Sequence, residues 1–461
     1  MKVLIIDGNK DKGQVNVGLG FLLQYIRNDH EVAVLSMSFH NDDEILNSVS
    51  NYELVGFSST SAQFPDCINL AKKIKENYNI PIVFGGIHAT SCPGDVMENK
   101  QVDFICISEA EISFSLLLKE IEEKKYNFLE IPGLIYRDIN NPSSHNADSY
   151  LPPKFINNLD EVGMPAWDLL EYDKGLKNVG IISSRGCPYQ CAHCYNSVLH
   201  KIDGFRYRRR SVQSVIDECA YLKSIGINSF SFADDIFLID ANWISNFCIL
   251  YKEKINLPFG CTARPEVIVP NIDLLKKLKD CGLNSIWMGI ESGSDYIRRN
   301  ILDRGMSNQL IIDAFRAVRN LGIVSKSYNM VGIPEESFLD ALATFWINFM
   351  AKPNSTSYYT LIPYPGTKIA KIAQEKKLFG NRNKNYDDKI NVQSKSEFGL
   401  GLLDTGKINR YHIVGFRYLW AFVFFRYSRK RIFFRAKFLF KAFKYFIIGF
   451  YKKIFYKRKD S

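Results

Sequence analysis

Residues 183–196 read Ser183-Ser184-Arg185-Gly186-Cys187-Pro188-Tyr189-Gln190-Cys191-Ala192-His193-Cys194-Tyr195-Asn196. Three cysteines stand here at a C-x₃-C-x₂-C spacing, just after the apolar run Val179-Gly180-Ile181-Ile182. The run predicts a strand, so the cysteines lie on a loop leaving a strand end. Three thiolates on one loop favour a soft metal. Zinc would recruit a fourth ligand, for which His193 and His200 are at hand. An iron–sulfur cluster on three cysteines would leave one iron open to another ligand. Incidental buried thiols are the remaining reading, and the density of cysteines on this loop argues against it.

The stretch resembles the cluster-binding loop of the radical S-adenosylmethionine enzymes. The resemblance implies that Cys187, Cys191 and Cys194 hold a [4Fe–4S] cluster. Its fourth iron would take the amino and carboxylate groups of S-adenosylmethionine, which is then cleaved reductively to a 5′-deoxyadenosyl radical. The resemblance also places Tyr189 and His193 beside the cofactor. His193 stands where the family usually carries an aromatic residue.

At 461 residues the chain has room for two or three domains, each with its own core. Ten cysteines are too sparse for a disulfide scaffold. The opening Met1–Asp7 has a strand pattern with an acidic end, unlike a secretory leader, and the expected location is cytoplasmic. Charge is uneven. Residues 407–461 hold sixteen Lys and Arg against one acid, Asp460, so this tail carries +15 and the other 406 residues −5.

Ahead of the cysteine loop, residues 1–125 alternate strand and helix patterns. Strands are predicted at Val3–Asp7, Glu31–Ser36, Leu54–Ser58, Ile80–Phe84 and Asp103–Ile107, with helical spacing over Leu19–Arg27, Cys67–Glu76 and Glu111–Glu123. The alternation predicts an α/β fold, a doubly wound, Rossmann-like parallel sheet whose ligands sit beyond the carboxyl ends of the strands. At those ends stand Ser58-Ser59-Thr60, Gly85-Gly86 and Ser108-Glu109-Ala110-Glu111. Any one of them reads equally as an ordinary turn. Together they resemble the cobalamin-binding domain that precedes the barrel in one radical subgroup. The resemblance implies cobalamin contacts from Ser58, Ser59, Thr60, Gly85, Gly86, His88, Glu109 and Glu111. Ser108 and Ala110 replace the glycines usual before the two glutamates. The Asp-x-His-x-x-Gly signature of histidine ligation to cobalt is absent, so His88 is expected in a structural or outer role.

Residues 126–178 carry turn signals such as Pro132-Gly133 and Pro152-Pro153 and read as a connector, with Leu134–Arg137 as one strand of a small hairpin. Residues 179–370 repeat strand and helix about six times, predicting a partial (β/α)₆ barrel of TIM type, open on one side, with its chemistry at the strands' carboxyl ends. Those ends carry the cysteine loop, Asp234-Asp235, Arg264, Glu291-Ser292, Gly332-Ile333-Pro334-Glu335-Glu336 and Pro363–Gly366. By the resemblance, Asp234, Asp235, Arg264, Glu291, Ser292 and Gly332 are contacts to S-adenosylmethionine. For the two aspartates a helix cap or surface turn is the alternative.

The last section, 371–461, ends in the basic tail, where Phe, Tyr, Lys and Arg alternate. Charges interrupt it too often for a spanning helix. A helix lying in an anionic membrane interface is expected, with a helix docked on the barrel and an RNA-binding tail as alternatives. The resemblance as a whole implies a cobalamin-dependent radical enzyme, a methyltransferase acting on an unactivated carbon or a phosphinate. An oxidative cyclisation or ring rearrangement, for instance of a tetrapyrrole, is the rival reaction. A zinc-stabilised RNA-binding protein is the rival of another class. Expected partners are a small-molecule substrate, a lipid if the tail is interfacial, and a flavodoxin- or ferredoxin-like electron donor. No nucleic acid is expected, and the protein would sit at the inner face of the membrane.

Overall fold

A computed structural model describes residues 1–138, 141, 144–379, 403, 405, 407–408, 410–424 and 432–456. Parts of the predicted connector and of the basic tail, including Phe425-Arg426-Tyr427 and residues 457–461, lie outside them. The chain divides into two compact units. The first comprises Met1–Gln190, Cys194–Asp235 and Ile249–Pro258, and the second Cys191–His193, Ile236–Cys248 and Phe259–Ser461.

In the first unit, β1 (Lys2–Asp7), β2 (Glu31–Ser36), β3 (Leu54–Ser58), β4 (Ile82–Gly85), β5 (Phe104–Cys106) and β6 (Leu134–Tyr136) form one sheet in the order β2-β1-β3-β4-β5-β6. The first five are parallel, and β6 closes the edge antiparallel to β5. Leu134–Tyr136 is thus an edge strand of this sheet, and the chain also turns back on it, with Arg137 bridging antiparallel to His145, as the hairpin expected from the sequence requires. Val3, Leu4, Ile5 and Ile6 of β1 are all buried, as a strand covered on both faces requires. One layer of the core joins Leu4, Ile6, Val55, Phe57, Ile82 and Phe84 to Cys67, Leu70, Ala71 and Ile74 of the helix Phe64–Asn77. The order reverses between β1 and β3, where a doubly wound sheet opens a ligand crevice.

The same unit holds β7 (Asn178–Ile181), the short antiparallel pair β8 (Ser184–Arg185) and β9 (Arg208–Arg209), and β10 (Ser229–Phe232), parallel to β7. In the second unit β11 (Phe259–Ala263), β12 (Leu283–Glu291), β13 (Val324–Val331) and β14 (Ser355–Thr360) pair in parallel, one after the next. With β7 and β10 these make the six parallel strands of a half-barrel. Strands β12 and β13 alternate buried and half-buried positions along their length.

The tail's first helix, Arg410–Phe424, docks on the second unit. Trp420 stacks on Tyr358 at 4.4 Å, and its indole nitrogen donates to Thr356 Oγ1 at 2.7 Å. The second helix, Ile432–Tyr456, lies against the first, and a Cβ on Gly415 would stand 2.5 Å from the Phe446 ring. The alternative to the expected interfacial helix, a helix docked on the barrel, therefore describes Arg410–Phe424. Among the described residues no helix is long and apolar enough to cross a membrane.

Candidate active site

In the first unit the carboxyl ends of β1, β3, β4 and β5 surround a cavity of about 580 Å³. Ser58, Ser59, Thr60, Gly85, Gly86, Glu109 and Glu111 line it. Its wall continues through Ile182, Ser184, Arg185 and Gly186, which lead into the cysteine loop, and through Asp235 after β10. Gly86 has φ +90°, and a Cβ there would stand 2.8 Å from the Ser59 carbonyl, so only glycine fits. The hydroxyls of Ser59 and Ser108 are shielded from water and have no protein partner. Such groups suit a large ligand rich in amides, because a buried hydroxyl left unpaired is costly.

The glutamates do more than line the wall. Arg185 reaches Glu109 at 2.8 Å and Glu111 at 2.7 Å, and Arg208 also grips Glu109. Burial alone would raise the Glu109 carboxyl, but Arg185 and Arg208 hold it below the usual range. His88 lies behind the wall and not on it, away from the cobalamin contact the resemblance implied and in keeping with the structural or outer role expected of it. Its ring packs on Phe64 with centroids 4.1 Å apart, its Nδ1 meets Ser61 Oγ at 3.0 Å, and burial lowers its pKa to about 4. That geometry is structural.

Asp234 turns away from the cavity and accepts hydrogen bonds from Ser183 and Ser184, fixing the root of the cysteine loop. Burial raises its carboxyl pKa against the pull of Arg209 and the two serines. His200, one candidate zinc ligand, instead donates from Nε2 to the Cys187 carbonyl at 2.6 Å. Asn196 Nδ2 lies 3.7 Å from Cys194 Sγ. Tyr189 is half-buried on the loop.

The second unit gathers the remaining polar groups. Cys191 Sγ accepts from Arg264 Nη1 at 2.9 Å and from Arg304 Nη1 at 3.7 Å. Arg264 Nη2 donates to Glu266 at 2.5 Å, so both its terminal nitrogens are engaged within the protein, where the sequence reading offered it to a ligand carboxylate. Arg304 Nη2 donates to the Gly289 carbonyl at 2.7 Å, and Nη1 lies 4.0 Å from Glu291. Glu291 ends β12 with φ +67°, and a Cβ on Gly289 would stand 2.1 Å from its carboxylate. Burial raises the Glu291 pKa against the pull of Arg304 and Arg264. His193 stays neutral beside them: burial, then the two guanidinium groups, lower it to about 3. Arg304 was missed from sequence; it lies on a loop after a short irregular helix, Ile297–Ile301, with no periodic signal to mark it.

Two further candidates point elsewhere. Ser292 is fully buried and faces Thr344 of the helix Phe338–Ala351 at 3.4 Å. Gly332, with φ +79°, donates its N–H to Glu336 at 2.6 Å, which closes the turn after β13. Neither side chain nor turn N–H is left for a cofactor.

Among the described residues no three His, Cys, Asp or Glu side chains are placed to grip a single metal ion. A tetrahedral zinc site would be such a group. A [4Fe–4S] cube instead distributes its thiolates over separate irons, and none of the ten cysteines is joined in a disulfide.

The radical SAM superfamily model matches residues 181–345, and the B12 binding domain model matches residues 14–118. An uncharacterized methyltransferase of Pyrococcus horikoshii is 28% identical over 370 residues, covering 77% of this chain and 78% of the relative. The hopanoid C-3 methylase of Methylococcus capsulatus is 25% identical over 373 residues, covering 76% and 67%. The radical S-adenosylmethionine methyltransferase TsrM of Kitasatospora setae, solved with cobalamin and a [4Fe–4S] cluster, shares the fold with TM-score 0.68 at 18% identity, covering 81% and 75%. Replacing Cys187, Cys191 or Cys194 by Ala should abolish iron binding on anaerobic reconstitution while corrinoid binding persists. Iron retained by all three variants would contradict the assignment. With matches to a B12-binding domain and a radical SAM domain in tandem, the chain has the domain arrangement of the cobalamin-dependent radical S-adenosylmethionine enzymes.

Proposed function

We propose that this protein is a methyltransferase that adds a methyl group to an unactivated carbon or a phosphinate. The observation that carries the reading is the single cavity wall. It runs from the B12-type loops Ser58–Thr60, Gly85–Gly86 and Ser108–Glu111 into Ile182–Gly186, at the root of the cysteine loop. Corrinoid and cluster chemistry are thereby adjacent in the chain's own architecture. When bound, the cluster supplies the electron that cleaves S-adenosylmethionine, and the corrinoid carries the methyl group.

The residues then have separable tasks. Cys187, Cys191 and Cys194 hold the cluster. Arg264 and Arg304 donate to the Cys191 sulfur, which favours the more electron-rich state. Glu291 offers its carboxylate to S-adenosylmethionine at the end of β12. Ser59 and Ser108 offer unpaired hydroxyls to the corrinoid, and Asp235 faces the same cavity. We assign 1–125 to corrinoid binding, 126–178 to the connector, 179–370 to the barrel and 371–461 to the C-terminal extension. A small-molecule substrate and an external one-electron donor belong to this chemistry.

Incubation with S-adenosylmethionine, a strong reductant and substrate should yield S-adenosylhomocysteine together with 5′-deoxyadenosine. 5′-Deoxyadenosine alone would favour cyclisation or ring rearrangement and sink methyl transfer.

A specific feature supports contact with an anionic membrane surface, and with it a hydrophobic substrate. Phe440, Phe443, Ile447, Phe450 and Tyr451 recur at helical spacing and are exposed, with Lys441 and Lys444 on the same helix. Leu339, Trp346, Phe349 and Met350 form a second exposed stripe on Phe338–Ala351. The two meet where Phe338 touches Phe446 and Phe450, with centroids 5.2 and 5.0 Å apart. A tail charge of +15 matches anionic headgroups, at about 1 kcal/mol per basic residue near the surface. One relative is a hopanoid methylase by name, which fits a hydrophobic substrate. The full chain should sediment with phosphatidylglycerol vesicles and less with phosphatidylcholine vesicles, and a variant with Phe440, Phe443 and Ile447 changed to Ser should lose the preference. Equal partition of both proteins, or dimerisation abolished by the same change, would contradict the membrane reading.

A further inference from the structure

Arg185 stands two residues before Cys187, yet its side chain is committed to the other cofactor domain. It forks onto Glu109 at 2.8 Å and Glu111 at 2.7 Å, both on the loop after β5 that lines the cavity. The face of its guanidinium covers the Phe21 ring at 4.9 Å. Its ladder partner across β8 and β9, Arg208, grips the same Glu109 and donates to the Ile156 carbonyl at 2.8 Å. All four charged side chains are mostly shielded, from 3 to 17% exposed. The next residue, Gly186, has φ +85°, and a Cβ there would stand 3.0 Å from the Arg206 carbonyl. Slack is therefore removed on both sides of Arg185: by ion pairs at its head and by a glycine-only turn behind it.

We propose that Arg185, clamped by Glu109 and Glu111, is a positioning residue that fixes the cluster loop against the corrinoid cavity. The inference rests on the proposed methyl transfer, which requires both cofactors to act on one substrate. Arg185 touches neither the cluster ligands' sulfurs nor any reacting atom among its described contacts; it acts through the loop it roots. A two-toothed, planar fork suits this task, because it resists both rotation and sliding, and Lys supplies only a point charge. A misplacement of only about 1 Å can cost about a hundredfold in rate.

The test uses the full chain reconstituted anaerobically with iron, sulfide and cobalamin, in wild type, Arg185→Met, Arg185→Lys and Arg208→Lys forms. Arg208 grips Glu109 from outside the cavity lining. Iron and corrinoid per chain are measured first. The magnetic interaction between the cob(II)alamin and reduced-cluster spins is then read by electron paramagnetic resonance, which requires no substrate. The expected result is cofactor loading equal to wild type, a changed spin–spin interaction in Arg185→Met, and an intermediate change in Arg185→Lys and Arg208→Lys. Loss of S-adenosylhomocysteine formation should follow the same order, reaching about tenfold to a hundredfold in Arg185→Met. An unchanged spin interaction, or corrinoid loading that falls in step with it, overturns the proposal. If Arg185→Met does not fold, the Arg208→Lys protein, which loosens the clamp at Glu109, decides by the same readings. Failure of methyl transfer in the wild type would count against the function itself and leaves the spin comparison valid.

Discussion

The contact between Arg264 and the sulfur of Cys191, 2.9 Å apart in a buried setting, is the constraint on which the rest of the second unit depends. A guanidinium cannot lose its charge, and a buried charge needs a partner that accepts hydrogen bonds. A thiol accepts weakly; a thiolate accepts well, and metal binding keeps a cysteine in that form. Glu266 takes the other fork of Arg264, and Arg304 approaches the same sulfur from the Gly289 carbonyl. The loop backbone is fixed as well: Ala192 donates to the Leu302 carbonyl at 3.0 Å and accepts from Ile369 at 2.9 Å. Cys191 is thus held by its sulfur and by its neighbour's backbone. His193 beside it remains neutral and adds no third positive charge.

The first unit solves a parallel problem with opposite charges. Its cavity is walled by hydroxyls, glycines and apolar side chains, while the glutamates at its rim are neutralised by Arg185 and Arg208. Buried ion pairs contribute little net stability, because desolvation offsets most of the attraction. Their value here is geometric, since they admit few alternative arrangements. Asp234 works similarly through Ser183 and Ser184. Each end of the β7 turn is therefore tied before the first cysteine begins.

Much of this was legible in the residues alone. The period of apolar runs located the parallel strands of the first sheet to within a few residues, because strands covered on both faces must be continuously apolar. The C-x₃-C-x₂-C loop and the polar residues at strand ends followed from the same registration. What could not be read was direction and partner. His88, Ser292 and Asp234 lie in the expected loops, but packing against Phe64, Thr344 and Ser183 turns their side chains away from the cavity wall or toward a helix. Glu109 pairs with Arg185 across 76 residues of chain, a distance at which spacing carries no information. Arg304 acts from a segment without period, and Leu134–Tyr136 joins the first sheet because an antiparallel edge was available, not because its own pattern demands it.

On this reading one chain holds an iron–sulfur centre whose open corner takes S-adenosylmethionine, beside a corrinoid. The most direct measurement is electron paramagnetic resonance of the anaerobically reconstituted, reduced protein before and after S-adenosylmethionine is added. A [4Fe–4S] signal whose g values shift on addition is expected. A protein that binds no iron, or a cluster signal indifferent to S-adenosylmethionine, would contradict it.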